Sequence, residues 1–253
     1  MKRALPEHSR LLPGIAAAIS LVLATLAGPS GANPVATGNT LPAQAPDIVG
    51  EAVDLESGET VYLEHYYCTE DALKCSVFYL RPDSRLIARK RLDYQPSLKA
   101  PELTFTDFRT NREVSISPPD DEQVVDAGFD NFVRLQWQDL SDGEEIRFPF
   151  RVLGRDDPIA MRANRRDECE DGKLCLQIRL DSWLLGSLID PIQLTYDERS
   201  QRLLRFEGIS NLKNDAGRSQ KVRIRYRYSD DTSSVGNSSP ETPGSPPPAL
   251  TEG

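Results

Sequence analysis

The chain is poor in the residues that enzymes most often use for catalysis. It has two histidines, and one of them, His8, lies in an N-terminal segment that we expect to be removed. It has no G-x-S-x-G, Walker, H-E-x-x-H or G-x-G-x-x-G motif. These absences argue against the common serine hydrolases, nucleotide-binding enzymes and zinc peptidases. No short sequence motif therefore identifies a catalytic site.

Apolar runs long enough to cross a membrane are also lacking. The run IAAAISLVLATLAG is about 14 residues long, whereas a membrane-spanning helix needs about 20. It follows Lys2, Arg3 and Arg10 and precedes small residues that end at Ala32. This is the layout of a secretory signal peptide. We expect cleavage after Ala32, a periplasmic or secreted protein and no membrane span after cleavage; an uncleaved anchor is the alternative.

Cysteines are few, and they lie in two short segments, CTEDALKC and CEDGKLC. The spacings are wider than the C-x2-C and C-x4-C that are usual at zinc sites, and they differ from the redox C-x-x-C motif. An even number of cysteines in an oxidising compartment predicts two local disulfides, Cys68–Cys75 and Cys169–Cys175. Crossed pairings remain the alternative. We predict no metal and no cofactor.

Basic residues are outnumbered, with 30 Lys and Arg against 39 Asp and Glu. This balance argues against nucleic acid as a partner. After the signal peptide of residues 1–32 we predict a flexible leader at 33–46 and one globular domain at 47–228. The remaining Ser- and Pro-rich residues, 229–253, contain no aromatic side chain and are predicted to be disordered.

The predicted domain is dominated by an alternation of period two, which is typical of β-strands. In TVYLEHYY, His65 shares one face with Val61 and Leu63, and in KVRIRYRY every second residue is basic. Turn sequences such as ESGE and NDAG connect neighbouring runs at hairpin distances. We predict strands near residues 48–55, 59–67, 75–81, 85–93, 102–109, 112–117, 144–153, 159–165, 173–181, 191–197, 201–210 and 219–228.

A helical period interrupts the strands in DAGFDNFVRLQWQDLSDG. Apolar residues recur there at helical spacing from Phe129 to Leu140. Asp126 is placed to act as the N-cap, and Gly143 follows the end, so we predict one helix over residues 127–140. A second segment, SWLLGSLI, predicts one or two helical turns.

These elements predict a mainly β fold, an antiparallel meander curved into a β-clam or incomplete barrel. One or two short helices would cover its open side. A two-sheet β-sandwich has the same alternation and is the alternative.

Three stretches resemble signatures of a group of exported proteobacterial proteins of unknown function. They are D-x-E-S-G-E-x-x-Y-x-E-H at Asp54 to His65, D-A-G-F-D-N-F-V-R at Asp126 to Arg134, and R-L-L-R-F-E-G-I-S-N at Arg202 to Asn211. The resemblance implies an exported β-rich protein and no particular activity. The expected architecture is also similar to that of periplasmic lipid-carrying half-barrels.

Three polar residues in predicted strands are candidates for contact with a ligand. We expect His65 to lie on the inner face of its strand, as a titratable group or as a core histidine with one hydrogen bond. In LTFTDFR, Asp107 and Arg109 alternate with apolar residues on one face. They either line a cavity or form an ion pair at the end of the strand.

The predicted helix supplies the other ligand-binding candidates. Phe132 and Trp137 would face the space beneath the helix and give contact area to an apolar ligand, while Arg134 would meet a polar headgroup. The competing interpretation is that these aromatic residues fill the core. We therefore predict a non-enzymatic envelope protein that carries an apolar or lipid-like ligand.

Two other functions remain open from the sequence. One is a scaffold that docks an envelope protein, and the other is a hydrolase with carboxylates such as Glu64, Asp107 and Glu207. The last strand also has a basic stripe, which is either a site for phosphate groups or a solvated face neutralised by neighbouring acids. This stripe consists of Lys221, Arg223, Arg225 and Arg227.

Signal-peptide removal has a direct test. The tripartite N-terminus predicts that the protein purified from a periplasmic fraction begins at residue 33. Intact mass spectrometry should give the mass of residues 33–253. A mass that retains residues 1–32 would contradict the prediction.

Overall fold

A computed structural model describes residues 40–117, 122–155, 157–182 and 190–232. All of them belong to one compact unit. The predicted signal peptide, residues 33–39 of the predicted leader, the tail beyond residue 232 and residues 183–189 of SWLLGSLI lie outside the described residues.

Among the described residues, thirteen strands form one sheet in the order β6-β5-β4-β3-β2-β1-β13-β12-β11-β10-β9-β8-β7. Neighbours are antiparallel except β7 and β8, which are parallel. The strands are β1 (Ile48–Asp54), β2 (Thr60–Cys68), β3 (Lys74–Leu80), β4 (Leu86–Asp93), β5 (Glu102–Asp107), β6 (Arg112–Ile116), β7 (Val124–Val125), β8 (Ile146–Arg151), β9 (Ile159–Arg165), β10 (Lys173–Leu180), β11 (Ile192–Asp197), β12 (Leu203–Ile209) and β13 (Lys221–Tyr228).

The predicted fold class is confirmed. All twelve predicted strands are present, and they belong to one antiparallel meander that is not closed, because β6 and β7 form its two edges. The alternative with two separate sheets is wrong for the described residues. Strand β7 was not predicted, because two residues are too few to establish a period.

The predicted single helix is in fact two helices, α1 (Gly128–Leu135) and α2 (Trp137–Ser141). Between them Gln136 leaves helical geometry, with φ −103° and ψ 18°. Gly143 follows the helical segment as predicted, with φ +90°. A third short helix, α3 (Ser229–Thr232), directly follows β13.

The prediction that Asp126 is the N-cap is wrong. Ala127 occupies the cap position and makes no side-chain capping bond. Asp126 instead has φ +40°, a left-handed conformation that Asp tolerates better than most residues. Its carboxylate points toward Lys90 and Asn211, and only its backbone carbonyl accepts a bond from the first helical turn, from Phe129 N at 3.1 Å.

The segment from β7 to α1 connects the far edge of the sheet to the loop between β4 and β5. Val125 N donates to Lys99 O at 2.9 Å, and Asn131 Nδ2 donates to Leu98 O at 3.1 Å. Gly128 packs directly against this loop. Strands at opposite ends of the sheet order are therefore held close together, although they do not pair as strands.

Both predicted disulfides are confirmed. Cys68–Cys75 joins the paired ends of β2 and β3, and Cys169–Cys175 joins a loop to β10. Each bridge closes a short local loop, which is the pairing that the spacings predict. The crossed pairings are therefore excluded.

The buried apolar residues form two clusters on the sheet. The first has residues from β1–β7 and β13 and includes Tyr62, Tyr79 and Ile224. The second includes Phe148 and Tyr196 and packs under α1 and α2 against β8–β11. Phe206 of β12 packs against both clusters.

Replacement of Gly128 by Ala should destabilise the fold strongly. An added Cβ would lie 2.2 Å from Lys99 O and 2.6 Å from Pro101 Cδ. Because backbone atoms must then move, we expect a loss of about 3 kcal/mol, at the upper end of typical overpacking costs. Urea denaturation measures this loss.

Leu135→Ala is the matched control, since Leu135 lies in the same helix and is 56% exposed. Its effect should stay within about 0.5 kcal/mol. Equal losses for the two variants would show that the contact of α1 with the loop does not constrain the fold.

Candidate functional site

A cavity of about 230 Å³ lies between the two apolar clusters. Residues of β1–β4 and β8–β13 line it, together with the turn before α1 and the first residues of α1. Tyrosine is concentrated here, because seven of the eight tyrosines of the chain line this one cavity. They are Tyr62, Tyr66, Tyr79, Tyr94, Tyr196, Tyr226 and Tyr228.

Glu64 provides a buried carboxyl group at one end of the cavity. Its Oε2 accepts hydrogen bonds from the Tyr66 hydroxyl at 2.7 Å and the Tyr226 hydroxyl at 3.3 Å. Gly50 of β1 lies between Glu64 and Tyr226 in the register of the sheet. A Cβ at Gly50 would lie 2.9 Å from the Tyr226 ring, so the glycine allows this ring to lie across β1 toward Glu64.

Lys90 and Asp126 form a buried ion pair beside Glu64. Lys90 Nζ donates to Asp126 Oδ1, and the two side chains are 5% and 1% exposed. Asn211 Nδ2 donates to the other carboxylate oxygen of Asp126 at 2.8 Å. The pair thus joins β4, the turn before α1 and the segment after β12.

Burial and local charge shift the pKa values of this cluster in ways that follow from the contacts. Burial raises the pKa of Glu64, and the Tyr66 hydrogen bond and the Lys90 charge offset only part of the rise. Burial alone would lower the pKa of Lys90, but the charge and hydrogen bond of Asp126 raise it above its ordinary value. Burial raises the pKa values of Tyr66 and Tyr226, and the charge of Glu64 is the second cause of the rise.

A second polar group lies where α1 meets the cavity wall. Asp130 lines the cavity and pairs with Arg134 at 2.6 Å, and about a third of each side chain remains exposed. The Tyr196 hydroxyl is fully buried beside Asp130 and makes no hydrogen bond of good geometry among the described residues. This region is therefore less completely buried than the cluster around Glu64.

The remaining cavity wall is apolar. Aromatic rings line the part beneath α1, where Phe129 packs against Phe148 at 5.5 Å and against Phe150 at 5.9 Å between ring centroids. Aliphatic side chains from β9 to β12 complete the wall. They are Met161, Ile178, Ile192, Leu194 and Leu203.

The prediction that His65 lies on the inner face is wrong. Tyr62, Glu64 and Tyr66 face the cavity, so His65 lies on the opposite face of β2, where partial burial lowers its pKa. Both faces of β2 carry apolar residues, and Tyr67 on the same face as His65 is buried against Phe78. Alternation alone therefore did not identify which face is the inner one.

Asp107 and Arg109 form an ion pair with each other at the end of β5. Arg109 makes two bonds to the carboxylate, at 2.7 and 3.0 Å, and also contacts Asp215 at 3.3 Å. Burial alone would raise the pKa of Asp107, but the Arg109 contacts lower it. Neither residue lines the cavity. Of the two predicted arrangements, the structure therefore has the ion pair at the end of the strand.

The three candidates from the helix contact the cavity only through other residues. Phe132 packs against Phe148 at 4.7 Å between ring centroids, and Trp137 packs edge-on against Tyr196 at 5.8 Å. Arg134 reaches the cavity wall through its ion pair with Asp130. Phe129, one turn before Phe132, is the aromatic residue of α1 that lines the space.

The basic stripe lies on the face of β13 opposite the cavity. Lys221 pairs with Asp190, Arg223 with Glu207 at 2.8 Å, and Arg227 with Glu51 at 3.5 Å. Arg225 is exposed on the same face. Acidic residues of neighbouring segments therefore neutralise most of the stripe. This arrangement is the predicted alternative to a phosphate site.

The sequence reasoning missed Lys90, Asp126 and Glu64 as one group. A signal for Lys90 was present, because in LIARKRLD it alternates with Ala88 and Leu92, on the apolar side of the strand. The three stretches that carry the resemblance also meet here. They supply Tyr62 and Glu64, then Asp126, Phe129 and Asp130, and finally Leu203, Phe206, Ser210 and Asn211.

Within the ranges that the structure describes, no group of three or more His, Cys, Asp or Glu side chains is arranged to hold a metal ion. The same residues contain no helix long and apolar enough to span a membrane.

Breaking the buried ion pair should cost much more stability than breaking an exposed one. Lys90→Met leaves the Asp126 carboxylate buried without its cation, which costs about 3–5 kcal/mol. The control Lys221→Met breaks the exposed pair with Asp190 and should cost no more than about 1 kcal/mol. Urea denaturation compares the two, and similar losses would contradict the assigned role of Lys90.

Comparisons with known proteins give little further information. No family model and no curated protein matches the chain. Among solved structures, a domain named for outer membrane lipoprotein sorting, from Vibrio parahaemolyticus, aligns with 11% identity and a TM-score of 0.26. The alignment covers 73% of this chain and 86% of that domain. At this level of similarity the alignment supports no conclusion about the function of this chain.

Proposed function

We propose that the protein is an exported, non-enzymatic binding protein that carries an apolar or lipid-like molecule in the cell envelope. The observation that carries the proposal is the cavity of about 230 Å³ between the two clusters, with an apolar wall and a buried polar end. Binding sites for small molecules typically combine a largely apolar lining with a few placed polar groups. A partner-docking scaffold would not require such an internal space.

The apolar wall provides the main energy of binding in this proposal. Each methylene group that a ligand buries contributes about 0.8 kcal/mol. Phe129 and Phe150 give large contact areas, and the aliphatic residues of β9 to β12 form the opposite side. Helix α1 acts as the cover through Phe129, which packs against Phe132. Trp137 packs against Tyr196 of the cavity wall.

Export is part of the proposal and rests on two observations. The N-terminal sequence has the layout of a signal peptide, and the two disulfides are typical of an oxidising compartment. We infer that residues 1–32 are removed, and that the folded domain of residues 47–228 lies between a leader at 33–46 and a tail at 229–253.

A hydrolase is the second candidate, because the carboxyl groups of Glu64 and Asp126 both line the cavity. Paired carboxylates can act as acid and base when their environments differ. However, both oxygens of Asp126 already accept hydrogen bonds, from Lys90 and Asn211. A carboxylate committed in this way is poorly placed to activate water, so we favour binding over catalysis.

The binding proposal predicts that the cavity takes up an apolar molecule. Native mass spectrometry after gentle purification, with organic extraction, should reveal any bound molecule, and the neutral fluorescent probe N-phenyl-1-naphthylamine should bind to the emptied protein. Leu203→Trp should weaken probe binding about tenfold or more, because the larger side chain occupies the cavity.

Leu63→Trp is the matched control, since it makes the same change on the face of β2 that points away from the cavity. Its probe affinity should equal that of the wild type. The proposal fails if the wild type binds neither a native ligand nor the probe, or if both variants bind the probe equally well.

A further inference from the structure

We propose that the ligand of the cavity is a cationic amphiphile, with an ammonium head against Glu64 and an apolar tail along the Phe129 side. This inference rests on the proposed binding function and specifies the class of its ligand. It depends on three features of the polar end: the hydrogen bonds that are already formed, the charges that are already paired, and the aromatic rings around Glu64.

The hydroxyl protons near Glu64 are largely committed. Tyr66 and Tyr226 both donate to Glu64 Oε2, and the Tyr62 hydroxyl shares a hydrogen bond with Ser210 at 2.8 Å. Among the described residues, Glu64 Oε1 accepts no such bond, although Glu64 lines the cavity. Beside Glu64 the site therefore offers a carboxyl oxygen as an acceptor, so the complementary head of a ligand there is a donor. The Tyr196 hydroxyl, which makes no hydrogen bond of good geometry among the described residues, lies beside Asp130 instead.

The buried charges point to the same class of ligand. Lys90 is paired with Asp126, and Arg134 is paired with Asp130. A carboxylate or phosphate head would therefore find no unpaired cation among these groups, and it would approach the carboxyl groups of Glu64 and Asp126. An ammonium head would instead pair with Glu64, which forms no ion pair of its own among the described residues. The Lys90 charge acts on Glu64 but is paired directly with Asp126.

The rings around Glu64 favour a cation as well. Four tyrosines line the cavity near Glu64: Tyr62, Tyr66, Tyr79 and Tyr226. Burial is the main cause that raises their pKa values, and the charge of Glu64 raises them further. Two of these pairs are edge-to-face, with ring centroids 6.0 Å apart for Tyr62 and Tyr79 and 6.3 Å for Tyr66 and Tyr226. Tyrosine rings attract an ammonium group that lies over their faces, through cation–π interactions.

The inference also predicts how binding depends on pH. Burial raises the pKa of Glu64, so the carboxyl group becomes neutral at a higher pH than an exposed glutamate does. A cation binds the ionised form better, so affinity should fall as pH falls through this raised pKa. The other titratable or charged groups that face Glu64 are Tyr62 and Tyr66 on β2, Tyr79 on β3, Lys90 on β4, Asp126 before α1, and Tyr226 on β13.

Three octyl compounds with the same tail test the inference by displacement of N-phenyl-1-naphthylamine from the full-length mature protein. We expect octylammonium to bind about tenfold more tightly than octanol, and octanoate to bind more weakly than octanol. Glu64→Gln keeps an acceptor for the tyrosine hydroxyls but removes the charge, so it should abolish the preference for octylammonium over octanol. Glu59→Gln, at an exposed position before β2, should behave as the wild type.

A pH titration of the wild type provides a second measurement that needs no variant. The ratio of octylammonium to octanol affinity should decrease as pH is lowered. The inference is overturned if octanoate binds at least as tightly as octylammonium, or if the ratio is independent of pH and of Glu64→Gln. Probe binding that persists in those cases leaves the proposed function intact, whereas a wild type that binds neither the probe nor any octyl compound overturns both.

Discussion

The buried ion pair between Lys90 and Asp126 is the contact on which the arrangement of the cavity depends. It joins β4 to the turn before α1, and Asn211 adds the segment after β12. Each charge would be costly to bury alone, so each position requires the other. Asp126 reaches its partner from a left-handed backbone conformation, with φ +40°, rather than capping the helix. The Asp126 side chain thus leaves the helix uncapped and instead contacts residues that are distant in the chain.

This contact explains why two apolar clusters face each other without merging into one filled core. The hydrogen bond from Val125 N to Lys99 O and the close packing of Gly128 fix the β7–α1 segment against the loop between β4 and β5. Between the clusters stand large tyrosine rings whose hydroxyls need hydrogen-bond partners. A polar lining of this kind resists collapse, because closer packing would break the hydrogen bonds of Tyr66 and Tyr226 to Glu64 and leave these buried groups without partners. The space that remains is the candidate binding site.

Predictions from the sequence succeeded where the physics is local. Twelve strands followed from the alternation of apolar and polar residues, and both disulfides followed from short spacings. They failed where both faces of a strand carry apolar residues, as in β2, because the alternation then does not show whether His65 or Glu64 faces the interior. Strand β7 was missed because two residues carry no period, and Lys90 was missed because its apolar flanks were read only as a strand pattern.

The sequence by itself determined the β-meander, its local disulfides and the helical interruption, because hydrogen-bonded hairpins, short loops and helical periods depend on residues close in the chain. Only the tertiary structure decided which face of each strand is internal and which charges meet. Glu64, Lys90 and Asp126 come from three separate elements, and their approach depends on the register of several strands and on the return of β7 and α1. Contacts between such distant residues result from the packing of the whole sheet, which no local pattern encodes.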